Sequence, residues 1–488
     1  MVLTAAVIAA AVGGEPTSGA PDQVIDGFSI DSRSLASGDL FFAIVAARDG
    51  HEFVADALSR GAAGTVVRVG FAFDSAKAES LSASYTAGPG GQSIHEGRGS
   101  NPGNPAIIQV ADTTRALQDL ARFVRRESRA TVIAITGSAG KTTTKELIAA
   151  VLSTRYRVVK NRGNLNNHLG LPLSLLELRH GADVAVMELG MNHSGEIRLL
   201  EDIAKPSIRV WTNVGDAHLG HFDSRAAIAD AKAEILEGAS SSDLLVCNAD
   251  DPLVMQRASA FAGRTLTFGI SIAADIRAVE IQEQGIDGTR FTLATPKGKA
   301  PIVLPLLGGG NVSNVLAAAA VATELDVPLP EIVGRVQGIQ PAAHRGAVMR
   351  LNSGITVIDD SYNSSPSALR RALDVVAHET RFRRKAAVLG EMLELGSHSV
   401  DLHTECGRAA AAIGLTRLVV VGGAPAQALA NAATHAGMAS DSVTYVPSSE
   451  AASQLIVPWL RSGDLVLVKG SRGTRTDLVV DRISAEHG

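Results

Sequence analysis

Short apolar runs closed by turn-forming residues recur along the chain, with amphipathic stretches between them. Apolar runs bounded by Gly, Pro, Asn or Asp read as buried strands, and apolar residues at three- and four-residue spacing read as helices. On this basis residues 1–118 predict a small α/β domain. "FSIDSRSLASGDLFFAIV" and "GAAGTVVRV" supply its strands, and "RDGHEFVADALSRGA" a helix between them. The opening "MVLTAAVIAAAVGG" predicts a short helix ended by Gly13 and Gly14. It lacks the positive start of a signal peptide and is too short to span a membrane. Residues 84–105 are rich in Gly, Ser and Pro and predict a mobile surface loop.

Strand and helix signals alternate through residues 119–338. "TVIAIT", "DVAVMELG", "SIRVWTNV" and "DLLVCNAD" are strands, which predicts a parallel sheet covered by helices. "RTLTFGI", "DIRAVEI", "TRFTLATPKG" and "APIVLPL" predict an antiparallel β insertion, and "NVLAAAAVATEL" returns to helix. A third α/β unit of Rossmann-like pattern follows over 339–488, with strands "ITVIDD", "KAAVLG", "RLVVVGG" and "DLVLVKG". The fold class is therefore three-domain α/β, and a hinge is expected near 335–345.

Length agrees, since 488 residues at about 150 per domain give roughly three domains. The net charge of −5, with both signs interspersed, argues against a nucleic-acid binder, which usually shows a basic face. Two distant cysteines, Cys247 and Cys406, do not make a disulfide framework and fit a reducing cytoplasm.

Chemistry enters at "AITGSAGKTTTKELI", residues 134–148. An apolar run turns on small residues, offers one lysine and three threonines, and opens a helix. Gly137, Ser138, Ala139 and Gly140 form a turn whose backbone can cradle phosphates, as in ATP. Lys141 reaches the outer phosphates, Thr142 can hold Mg2+ with Thr143 beside it, and the helix adds its positive end. The general pattern also has a glycine where this chain has Ile135, so the loop is a variant. Phosphate chemistry needs a metal held from other strands. Glu188 ends the strand "DVAVMELG", and His218 follows the next one in "NVGDAHLGHF".

These residues resemble the Mur ligases. The resemblance rests on "DSR", "GDLFFA" and "DGHEFV", then "TGSAGKTTTKE", "NLNNHLGLPLSLL", "MELGMNHSGEI", "NVGDAHLGHF", "ADAKAEIL" and "GGGNVSNVLAAAA". It continues through "DDSYNSSPSAL", "LGEMLELG" and "VKGSRG", in order over nearly the whole chain. It implies a cytoplasmic, monomeric ligase that moves the γ-phosphate of ATP to a peptide carboxylate and lets an amine attack the acyl phosphate. "DDSYNSSP" with "VKGSRG" favours the member acting on UDP-N-acetylmuramoyl-tripeptide and D-alanyl-D-alanine over those that add diaminopimelate or lysine. The motif at the UDP-sugar site speaks against folylpolyglutamate synthase. A P-loop motor would not need the polar strand-end loops of the third domain.

Carried over position by position, the resemblance puts Lys141 on the β- and γ-phosphates, Thr142 and Glu188 on magnesium, and His218 on a second metal. Lys232 matches a lysine that is carbamylated in the family, and the anionic carbamate removes the conflict between an ammonium and a metal. Asn311 and Asn314 match the adenine side, and Arg345 and Asp360 close the third domain on the nucleotide. Ser32 and Arg33 match the UDP-sugar site, and Asn166 and Asn167 the loop meeting the muramoyl peptide. Tyr362, Asn363, Lys469, Ser471 and Arg472 are expected around the dipeptide and acyl phosphate. Two positions depart from the family pattern: Gly310 stands where a histidine is usual, and Arg345 lies in "AAHRGAV".

Overall fold

The computed structural model describes residues 1–72 and 104–488, so the glycine-rich stretch expected at 84–105 lies outside the described residues except for its last two. Three sheets organise the chain. The first has five strands in the order Glu15–Ser18, Ala106–Val110, Gly64–Arg68, Asp39–Phe42, Gly27–Ser29. All its neighbours run parallel except the antiparallel edge strand Glu15–Ser18. Phe41, Ala43, Val54, Ala57, Val67 and Ile107 pack its core. The opening helix is Ala5–Val12, and Gly13 and Gly14 return N–H bonds to Ala10 O and Ala9 O.

The second sheet has nine strands. Their order is Gly298–Leu304, Thr289–Thr295, Ile276–Glu283, Arg264–Gly269, Leu244–Asn248, Ile208–Trp211, Thr131–Thr136, Val184–Glu188, Val158–Lys160. The β insertion extends this same sheet. Its first strand, Arg264–Gly269, pairs in parallel with Leu244–Asn248 because the helix Pro252–Ala258 crosses over between them. Antiparallel pairing begins with the three strands after it. The third sheet runs Ala347–Arg350, Thr356–Asp360, Asp464–Lys469, Arg384–Gly390, Arg417–Val421, Val443–Val446. Only its first pair is antiparallel. The two edge strands, Ala347–Arg350 and Val443–Val446, were not signalled by the sequence, being short and only partly buried. No helix among the described residues is long and apolar enough to cross a membrane.

By compactness the chain forms two units: 1–132 with 156–189 and 199–206, and 133–155 with 190–198 and 207–488. Within the second unit the hairpin turn Gly285–Asp287 is anchored on the third sheet's layer. Ile286 is 4 % exposed and belongs to the core of Leu373, Val376 and Leu389, a burial worth about 1.5–3 kcal/mol. Its N–H donates to Glu379 Oε2 at 3.2 Å. Arg381 grips the same carboxylate through Nε at 2.8 Å and Nη2 at 2.6 Å, and reaches Asp287 at 2.6 Å. Arg350 holds the other oxygen of Asp287 at 2.6 Å.

The Arg381 guanidinium, ahead of the backbone donors, holds the Glu379 carboxyl down to about 2. A carboxyl lowered in the folded state stabilises above its unfolded value near 4.5, and that contribution is lost as pH falls toward 2. Glu379→Gln should therefore flatten the fall of Tm between pH 5 and pH 3, about one to two units around that unfolded value. Thermal unfolding at several pH values checks this. Parallel curves for the two proteins would mean that Glu379 carries none of the acid sensitivity.

Candidate functional site

The phosphate loop forms as the strand Thr131–Thr136 passes into the helix Lys141–Leu152. Gly137 and Gly140 have φ of 150° and 82°, values that favour glycine. Space forbids side chains there too. A Cβ on Gly137 would lie 1.9 Å from Thr212 Oγ1, and one on Gly140 2.2 Å from Asn314 Oδ1. Lys141 Nζ folds back over the loop and donates to Gly137 O at 2.7 Å. Thr142 and Thr143 follow it in the first helical turn, where the N–H groups have no intrahelical acceptor.

The segment after strand Ile208–Trp211 braces this loop. Asn213 O and Oδ1 accept from the N–H groups of Ser138 (3.0 Å) and Ala139 (2.9 Å). Asn213 Nδ2 and Thr212 Oγ1 both donate to Ala139 O, at 3.0 and 2.8 Å. Two N–H groups expected to face phosphate are thus bonded to Asn213. Neither Asn213 nor Thr212 stood out in the sequence, although Asn213 opens the motif that gave His218 and Thr212 precedes it.

Asn314 is 7 % exposed and also acts as a brace. Its Oδ1 accepts from Thr144 Oγ1 at 3.2 Å, and its Nδ2 donates to Asn311 Oδ1 at 3.0 Å. Asn311 Nδ2 donates to Leu307 O at 2.9 Å. The helix Gly309–Glu324 is therefore tied to the phosphate loop through Asn314.

Lys232 ends the helix Arg225–Ala233 and is 1 % exposed. Burial first, and the Lys141 charge second, push its amine well below the ordinary lysine range. His218 sits in a left-handed backbone conformation, φ 69°, and its Nδ1 lies 2.8 Å from Glu394 Oε2. Burial lowers its pKa, the Lys141 and Lys232 charges lower it further, and Glu394 opposes them. Lys141, Lys232 and His218 thus share one electrostatic neighbourhood. Glu394 enters it from the loop after Arg384–Gly390, and its backbone O accepts from Gly220 N at 2.7 Å. The motif "LGEMLELG" contained Glu394 but gave no reason to single it out.

The third sheet contributes a polar cluster at the C-terminal ends of the adjacent parallel strands Thr356–Asp360 and Asp464–Lys469, where open α/β sheets take ligands. Lys469 is 3 % exposed and donates to Asp360 Oδ2 at 2.6 Å and Asn363 O at 2.9 Å. The Arg345 guanidinium lies 4.1 Å from the Tyr362 ring centre and that of Arg472 5.8 Å from it. Ser471 Oγ accepts from Leu393 N at 2.9 Å. The seven predicted residues of this domain therefore assemble around one sheet edge.

In the first unit Glu188 is 4 % exposed at the end of its strand. Asn166 Nδ2 donates to its Oε1 at 2.8 Å, and the Asn161 amide brackets its backbone N–H and O at 3.0 Å each. Asn167 Oδ1 accepts from Gly170 N at 2.8 Å and starts the next helix. Ser32 is buried, while Arg33 is exposed and forms a two-pronged pair with Asp31 at 2.9 and 2.7 Å. The Arg33 hydrogen bonds hold the Asp31 carboxyl down to about 2.

Among the described residues no group of three or more His, Cys, Asp or Glu is arranged to hold a metal ion unaided. Magnesium at a nucleotide binds one or two protein oxygens and completes its shell with phosphate oxygens and water. A braced glycine loop, an overarching lysine and polar strand ends make a site suited to the phosphates of a nucleotide.

Residues 135–322 match the family described as the Mur ligase middle domain and residues 344–472 the Mur ligase glutamate ligase domain. The chain belongs to the Mur ligase family. It is 36 % identical to UDP-N-acetylmuramoyl-tripeptide–D-alanyl-D-alanine ligase of Mycobacterium bovis, over 99 % of this chain and 98 % of that one. The protein of that name from Escherichia coli is 33 % identical, over 96 % and 95 %. Among solved structures, MurF from Acinetobacter baumannii superposes with a TM-score of 0.84 at 30 % identity, over 99 % of each chain. MurF ligase from Thermotoga maritima in complex with ADP gives 0.77 at 26 %, over 94 % and 97 %.

Proposed function

We propose that the chain joins D-alanyl-D-alanine to UDP-N-acetylmuramoyl-tripeptide at the expense of ATP, releasing ADP and phosphate and giving the pentapeptide precursor of peptidoglycan. The observation that carries this reading is the end-to-end similarity to ligases of that name, combined with a phosphate loop braced for ATP.

A carboxylate is a poor electrophile because its charge is delocalised and oxide leaves badly. One carboxylate oxygen of the tripeptide attacks the γ-phosphorus and ADP departs. The acyl phosphate is then attacked by the dipeptide amine, the acyl C–O bond breaks, and phosphate leaves with the former carboxylate oxygen. Lys141 stabilises the charge on the transferring phosphoryl group, and such a preorganised cation is worth several kcal/mol, about 3–4 by analogy with other donors. Thr142 and Glu188 would hold magnesium, with His218 and Lys232 at a second ion; bound magnesium neutralises charge on the phosphate oxygens. Burial pushes the Lys232 amine well below the ordinary lysine range and so favours the uncharged, nucleophilic form, which supports its reaction with carbon dioxide to a carbamate with loss of one proton.

Residues 1–118 would bind the UDP-sugar through Ser32 and Arg33, whose fork can exchange Asp31 for diphosphate. Residues 119–338 carry ATP, with Asn166 and Asn167 toward the muramoyl peptide. Residues 339–488 close on the nucleotide through Arg345 and Asp360. Tyr362, Asn363, Lys469, Ser471 and Arg472 hold the dipeptide and acyl phosphate. The protein acts as a cytoplasmic monomer.

Phosphate release by the purified protein, with each substrate omitted in turn, tests the reading. Release should require ATP, the UDP-muramoyl tripeptide and D-alanyl-D-alanine together. Release supported by the UDP-muramoyl dipeptide with free lysine or diaminopimelate would contradict it.

A further inference from the structure

We propose that Arg371 is a nucleotide-binding residue that covers the adenosine part of ATP. The inference rests on the ligase reading and adds a residue to its ATP site.

The helix Gly309–Glu324 begins with a bare stretch, since Gly308, Gly309 and Gly310 precede Asn311. Beside it stands Arg371, from the helix Pro366–His378 of the third domain. Its Nε lies 3.4 Å and its Cδ 3.5 Å from where a Cβ on Gly310 would be. A Cβ at 310 would be in van der Waals contact with it. Val375, one turn further on, comes within 3.4 Å of the corresponding point on Gly308. The glycine backbone at the start of this helix thus meets the buried Val375 and the exposed guanidinium of Arg371.

Arg371 is solvent-accessible yet crowded, and the crowding lowers its pKa from the ordinary arginine range; Asp360, Asp216 and Asp374 oppose that shift from around it and Arg370 adds to it. Among the described residues it makes no hydrogen bond and no close ion pair, whereas its neighbour Arg370 pairs with Glu405 at 3.2 Å. A partly desolvated, accessible guanidinium favours a flat aromatic face over water.

The distance along the helix says which part of ATP would meet it. Asn314 touches the phosphate loop at Gly140. Gly310 stands four residues earlier, about 6 Å along the helix away from that contact. Phosphates held by Gly140 and Lys141 would direct the nucleoside toward Gly310 and Arg371.

The experiment compares Arg371→Ala and Arg371→Lys with the parent chain for binding of Mg-ADP and of inorganic tripolyphosphate, with Tm measured alongside. Alanine is a good helix former at an exposed position, so the variant should keep its Tm. The alanine variant should bind ADP about tenfold more weakly, a loss between those of cation–π contacts at exposed and at desolvated sites. Lysine should recover part of the loss, and tripolyphosphate, which has no base or ribose, should bind all three proteins alike. Unchanged ADP affinity would overturn the proposal, as would equal losses for ADP and tripolyphosphate. A parent chain that binds tripolyphosphate but no ADP would overturn it as well. Failure of the ligase reading itself would show differently, as a parent chain that binds neither probe.

Discussion

Lys141→Ala should lower ligase turnover by at least about a thousandfold, the upper range for removing one preorganised donor from a developing charge. The size follows from position. Lys141 opens the helix, arches back to Gly137 O at 2.7 Å, and lies on a loop whose shape is fixed from Thr212, Asn213 and Asn314. Alanine leaves those braces in place, so the variant should fold with an unaltered Tm while ATP-dependent phosphate release disappears. Steady-state turnover and thermal unfolding on the same preparation check this. Retained turnover would mean that another cation carries the phosphoryl charge.

Lys232→Ala should cost about a hundredfold or more in turnover, because it removes an anion-forming group from the neighbourhood of Lys141 and His218. A short carboxylic acid such as acetate, added in excess, should restore part of the loss by filling the place of the carbamate. Full activity of the variant without rescue would remove the carbamate from the mechanism. An arginine at 232 separates charge from chemistry: it cannot lose its proton or take up carbon dioxide, so it should be inactive and acetate should not help it.

Most of the phosphate loop was legible in the sequence because its physics is local. A buried strand, a glycine turn and a helix start leave a pattern within fifteen residues, and the strand and helix formed where that pattern put them. The four inner strands of the third domain were equally visible, being continuous apolar runs. What stayed hidden depends on partners distant in sequence. Asn213 braces a loop 74 residues away, and Glu394 meets His218 across 176. Nothing in the local pattern of "NVGD" or "EMLELG" marks one polar residue over its neighbours. Asn314 shows the converse. Its motif pointed to the nucleotide, but the side chain is buried and spent on Thr144 and Asn311. The parallel pairing of Arg264–Gly269 was missed because an alternating strand reads alike in either direction.

The most direct test follows one oxygen. Tripeptide substrate labelled with 18O in the reacting carboxylate, ATP and D-alanyl-D-alanine are incubated with the protein, and the released phosphate is analysed by mass spectrometry. Activation of the carboxylate by phosphorylation predicts one labelled oxygen in each phosphate, carried over when the acyl C–O bond breaks. Phosphate free of label, formed alongside the amide product, would contradict the account.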